Sequence, residues 1–161
     1  QLNEKNDDNG FMSSGIEGVD LRHLVGWEGY EVELNEQQAQ LLWSHVLGKQ
    51  IGEFQSVPFS KHWDWLLSNG PVAARVLANL SYKEEQNAPT PEKLARNSGL
   101  ADPKRLGPQI GSINKAIRRI SRNEDDRLTN ISRGTGLYEV KQVTRKALRK
   151  AAESLATGKA V

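Results

Sequence analysis

Four isoleucines, Ile110, Ile113, Ile117 and Ile120, recur at spacings of three, four and three, and nothing else in the chain narrows its fold as much. That spacing lines all four along one face of an α-helix. Asn114, Lys115, Arg118, Arg119 and Arg122 fall elsewhere on the circumference, so one side of the helix is built to pack and the other is cationic. The helix is expected from Pro108, suited to a first turn by its fixed φ, to about Asn123. Upstream, Thr90 is a good N-cap, Pro91 fits the first helical position and Glu92 meets the positive end of the helix dipole, which predicts a short helix from Pro91 to about Asn97. Ser98-Gly99 closes that helix, and Leu100 to Gly107 is expected to form a long turn. Downstream, Arg127–Ile131 and Leu137–Val140 read as strands joined by Ser132-Arg133-Gly134-Thr135-Gly136, whose glycines permit the positive φ of a tight hairpin.

Helix, turn, basic helix and glycine-tipped hairpin is the order of a winged helix-turn-helix. INKAIRRI (Ile113 to Ile120) and RGTGLY (Arg133 to Tyr138) carry a resemblance to the winged-helix output domain of response regulators, the OmpR-like family. In that family a striped, arginine-bearing helix precedes a wing with R-G-x-G and an aromatic; here Leu137 intervenes before Tyr138. The resemblance covers about a third of the chain and implies a mainly α fold, a three-helix core with a C-terminal hairpin wing, that binds DNA. Similar wings also serve replication initiators and protein-binding modules.

The remaining segments are expected to surround this unit. Gln1 to Gly15 is polar and aperiodic, and a disordered tail is expected there. Residues 16–70 read as a helical, acidic and Trp-rich extension, with a short helix within 16–27 and a strand at Tyr30–Leu34. Its best helix starts at Asn35, the N-cap of a capping box with Gln38, with Leu34 and Ala39 as a hydrophobic staple and a stripe of Ala39, Leu42, Trp43 and Val46. Ile51 to Ser60 reads as a loop, and Lys61 to Ser68 as a short helix burying Trp63, Leu66 and Leu67. The winged unit is assigned to 71–142, its first helix running from Pro71 to about Glu85; the alternative takes the helix after Asn35 as helix one. Residues 143–161 are expected to form a basic C-terminal helix with three readings: packing of Leu148, Ala151 and Leu155 on the domain, a dimer contact through them, or phosphate contact through its basic face.

Charge divides the same way. Residues 1–80 hold five Lys/Arg against eleven Asp/Glu, a net −6, and residues 81–161 hold seventeen against nine, a net +8. A polyanion is the expected partner of the second half. If the isoleucine helix enters a major groove, Gln109, Ser112, Asn114, Lys115 and Arg118 are the candidates to meet bases and phosphates, with Arg119 and Arg122 on flanking backbone. At the wing, Arg133 suits the minor groove or a phosphate, and Ser132 and Thr135 suit phosphate oxygens. Lys104 and Arg105 fit phosphate contacts or ordinary loop charges. The competing reading is a surface helix whose arginines are merely solvated or pair with Glu124, Asp125 and Asp126.

Other chemistry has little support. Cysteine is absent, which excludes disulfides and thiolate metal sites. His23, His45 and His62 lack ligand spacing; a metal set of Asp20, His23, His62 and Asp64 can be imagined but has no motif behind it, and RGTG lacks the context of a phosphate loop. No enzyme activity, cofactor or metal is expected. No apolar run nears the roughly 18 residues of a membrane span, nor does the N-terminus have a signal peptide's apolar region, so a cytoplasmic protein is expected. The first residue, Gln1 rather than Met, fits a fragment of something longer. The expected function is duplex DNA binding, as a transcription regulator or the reading domain of a larger protein, with a homodimer or protein contact through the N-terminal half or C-terminal helix. The alternative is a winged module that binds proteins in a nucleic-acid-associated complex.

Overall fold

The computed structural model describes residues 30–84, 87–131 and 134–158; the expected tail at 1–15 and helix within 16–27 lie outside them. Residues 31–131 and 135–158 form one compact unit, mainly helical, with a two-stranded antiparallel hairpin on its C-terminal side.

Helix α1 (Glu36–Leu47) begins as the sequence predicts. Asn35 accepts from the Gln38 amide, and the Gln38 side chain accepts from the Asn35 amide in return. Ala39, Leu42, Trp43, Val46 and Leu47 are buried, and Gly48, at φ 53°, turns the chain out of the helix. The next stretch is more helical than expected. Where a loop is predicted, α2 (Ile51–Ser56) forms around buried Phe54, held by its packing on the last helix and by a bond from Gln55 Nε2 to the Leu155 carbonyl, 3.2 Å. Helix α3 (His62–Ser68) buries His62, Trp65 and Leu66, while Trp63 and Leu67, expected inside, are half-buried. The His62 ring stacks on Phe59, centroids 4.8 Å apart, and its Nδ1 donates to the Phe59 carbonyl, which turns this short helix away from the predicted face.

Helix α4 (Val72–Ser81) is the central element. Every residue from Val76 to Ser81 is buried, and it packs against α1, α3 and the three helices that follow. These are α5 (Pro91–Asn97), α6 (Leu106–Ser121) and α7 (Gln142–Ala156). Strands β1 (Asn130–Ile131) and β2 (Tyr138–Glu139) pair in the register Asn130↔Glu139 and Ile131↔Tyr138. The strand expected at 30–34 is reduced to a single parallel bridge, Glu31 to Arg127, with Val32 N–H bonding the Arg127 carbonyl at 2.9 Å.

Helix α7 closes the unit on α1. Leu148 and Ala151 are fully buried and Leu155 is nearly so, inside the chain's own core. Trp43 Nε1 donates to the Leu148 carbonyl at 2.9 Å, and the Thr144 hydroxyl accepts from Leu34 N–H at 3.0 Å while donating to the Val32 carbonyl. Burial and the neighbouring charge of Arg149 push the Arg145 pKa down; both arginines donate to the carbonyl of Lys83, just past the end of α4. No helix among the described residues is long and apolar enough to cross a membrane.

Candidate nucleic-acid interface

The approach to α6 is built from short-range chemistry. Thr90 accepts from the Lys93 amide and Pro91 fills the first turn of α5, as the sequence predicts. Past α5, Gly99 takes φ 80° and Leu100 N–H bonds the Ala95 carbonyl at 2.8 Å. That positive φ favours glycine, and an added Cβ at 99 would lie 2.5 Å from Nη1 at the far end of the Arg75 side chain, which would have to shift. Asn79, a polar residue inside the apolar run of α4, donates to the Asn97 carbonyl at 3.1 Å and to the Ser98 hydroxyl at 3.2 Å. These contacts latch the end of α5 to α4 and so set where α6 starts.

Helix α6 begins earlier than expected. Asp102 caps a 3-10 turn at Pro103–Arg105 by accepting from Lys104 N–H at 2.9 Å, and the α-helix continues from Leu106. Pro108 lies inside the first turn rather than opening the helix. Asp102-Pro103 repeats the cap-plus-proline signature of Thr90-Pro91, and that was the signal available in the sequence. At the other end the helix stops at Arg122, which adopts the left-handed conformation at φ 58°.

The two faces of α6 separate as the isoleucine spacing demands. Leu106, Ile110, Ile113, Ala116 and Ile117 are buried and Ile120 packs at the margin of the core. Ser112, Lys115, Arg119 and Arg122 are exposed, as are Lys104 and Arg105 in the preceding turn, while Gln109 and Arg118 are half-buried. Among the described residues none of the side chains of Lys104, Arg105, Lys115, Arg118, Arg119 and Arg122 has an ion-pair or hydrogen-bond partner. The pairing with Glu124, Asp125 and Asp126 does not form. That acidic stretch instead follows a turn in which Asn123 Oδ1 accepts from Asp125 N–H at 3.0 Å. Gly107 and Gly111 also face outward, with nothing within 4 Å of where a Cβ would stand.

Asn114 has a different environment. Its Oδ1 accepts from Leu128 N–H at 2.8 Å and its Nδ2 donates to the Thr129 carbonyl at 3.1 Å, so the carboxamide is occupied by the strand segment beside the helix. The structure therefore separates Asn114 from the outward set of Ser112, Lys115, Arg119 and Arg122, and places the segment leading into the hairpin against the flank of α6. Arg118 lies one turn beyond Asn114 on that flank. In the hairpin, Gly136 takes the positive φ that the sequence predicts, 69°. The Thr135 hydroxyl donates to Glu139 Oε2 at 3.2 Å and accepts from Leu137 N–H at 3.2 Å, which shapes the turn. Tyr138 points into the core, where burial raises its phenol pKa above the usual value. Ser132 and Arg133 lie outside the described residues.

His62 and Asp64, imagined as metal ligands, sit on α3, and among the described residues no three His, Asp or Glu side chains gather into a metal-binding group. Comparison of the chain with protein-family models, curated proteins and solved structures gives no match.

Proposed function

We propose that residues 72–140 act as a winged helix-turn-helix and that the chain binds duplex DNA, with the outward face of α6 toward the major groove and the hairpin beside it. The observation that carries this reading is the set of six side chains, Lys104, Arg105, Lys115, Arg118, Arg119 and Arg122, that have no acidic partner among the described residues and five of which are exposed. Two further features support it. The hairpin follows α6 and is tied to its flank through Asn114. The outward glycines, Gly107 and Gly111, have no packing reason inside the chain, and glycine admits a close approach of helix backbone to a ligand. Arg118 and Lys115 are the residues of a type to read guanine or hold phosphate, and Arg105, Arg119 and Arg122 the ones to neutralise backbone charge. A role in transcription regulation, alone or within a larger protein, is the biological setting that the OmpR-like resemblance suggests.

The test is fluorescence anisotropy with a random-sequence duplex across a salt series. Neutralising about four to six phosphates gives a slope of log affinity against log salt of about −4 to −5. Arg118→Ala combined with Arg119→Ala should make that slope less negative by about two units and weaken binding at low salt. An absence of duplex affinity at about 50 mM salt, where the electrostatic contribution is large, overturns the reading and leaves a protein-binding winged module as the successor.

A further inference from the structure

Base sequence is read through matched groups: a carboxamide on adenine, a guanidinium fork on guanine, a carboxylate on the cytosine amino group, an apolar group on the thymine methyl. The outward face of α6 lacks most of these. The helix carries no Asp or Glu along its length, and Ile110, Ile113 and Ile117 are buried, turned away from any thymine methyl. Of its two carboxamides, Gln109 is half-buried and Asn114 is already satisfied at both ends, Oδ1 accepting from Leu128 N–H at 2.8 Å and Nδ2 donating to the Thr129 carbonyl at 3.1 Å. Asn needs both of those atoms to grip adenine, so Asn114 is withdrawn from base reading. Gly107 and Gly111 offer bare backbone. Arginine is the exception, and its placement speaks for phosphate.

The charge of this face comes in two groups. Lys104 and Arg105 stand in the turn before the helix, and Lys115, Arg118, Arg119 and Arg122 occupy its later half. No cation lies between Leu106 and Asn114. Lys115 follows Arg105 by ten positions, about 15 Å of helix axis and close to the roughly 12 Å width of the major groove. A helix laid across the groove meets the phosphates of one strand with its first pair and those of the other with its second group, while the glycines between pass over the base edges with no side chain to probe them. We infer that this face takes duplex DNA of any sequence: α6 grips phosphates on both walls of the groove and leaves the base pairs unread. Arg118 and Lys115 thereby fall to phosphate rather than guanine. The inference rests on the DNA-binding reading above and narrows it from a site-specific regulator to a general duplex binder.

The experiment measures binding of the chain, at one salt concentration, to three duplexes of equal length: alternating A·T, alternating G·C and a mixed sequence, each then taken through a salt series. The expected result is affinities within about tenfold of one another, against the roughly thousandfold or more that separates a specific site from bulk DNA. Selection from a random library should enrich no motif. Arg105→Ala and Arg119→Ala take one cation from each group, and both side chains are exposed, so neither variant disturbs the core. Each should weaken binding to all three duplexes by the same factor and make the salt slope less negative by about one unit. A sequence held more than about tenfold tighter than the others, or an enriched motif, overturns the inference. So does an unchanged slope in either variant, which would leave one wall of the groove ungripped, and so does a loss in Arg118→Ala confined to the G·C duplex. Absence of binding to every duplex at about 50 mM salt is a different result, which removes the DNA-binding reading itself and this inference with it.

Discussion

Gly111 sits in the middle of a sixteen-residue helix, where glycine costs about 1 kcal/mol relative to alanine, yet no neighbour stands within 4 Å of its missing Cβ. Gly111→Ala should therefore raise the stability of the free chain by about 0.5–1 kcal/mol, read as a higher denaturation midpoint. If α6 approaches a duplex closely at this position, the same methyl group should weaken duplex binding. A variant that is more stable and binds as well as wild type would mean that the glycine face stands away from DNA. Single residues of this kind range from legible to illegible. The outward cations of α6 were legible because four isoleucines left them only one side to occupy. The role of Asn114 was not, since its partners are backbone groups fourteen and fifteen residues away, and backbone groups leave no mark on composition or spacing. Asn79 is intermediate: an asparagine within RVLANLS signals a buried polar contact without saying to what.

At the level of elements, local chemistry carried well and tertiary support did not. Both predicted caps, Asn35 with Gln38 and Thr90 with Pro91, are made as the sequence implies, because capping is settled within four residues. Helix α2 had no such signal. It contains Gly52 and buries only Phe54, and its six residues are too few to be helical without the packing of α3 and α7 around them. On α3 a heptapeptide with two tryptophans left the buried face underdetermined, and the stacking of Phe59 on His62 decided it. The stripe of α6 makes the clearest prediction at this scale. Ile117 is completely buried, so Ile117→Ala should lose about 2–5 kcal/mol of unfolding free energy in denaturant titration, through lost transfer energy and the cavity left behind. A loss below about 1 kcal/mol would mean that this face is not the packed one.

For the whole molecule, the sequence suggested a winged unit over 71–142 flanked by an extension and a separate basic helix. The core crosses both of those boundaries. Trp43, Leu34 and Leu148 lie among the largest or least exposed core residues, and α1 packs on both α6 and α7. Helix pairing between segments more than a hundred residues apart is invisible to periodicity, which reports only that each helix has an apolar face and not what covers it. A fragment spanning 71–142 is therefore expected to melt without a cooperative transition by circular dichroism, whereas 31–158 should melt cooperatively. A sharp transition in the shorter piece would show that α4, α5, α6 and the hairpin suffice for a core.

The clasp between α1 and α7 has a consequence for how the chain is made. Thr144 is the bolt that secures Leu34 and Val32, and Leu148 is the seat for the Trp43 indole, so the first helix of the unit has no lid until Gln142–Ala156 has left the ribosome. Until then the Trp43 face of α1, against which the isoleucine helix also packs, is left open to water. A chain stopped before residue 142 would hold seventeen of the twenty-two Lys and Arg residues and lack the helix that closes its core.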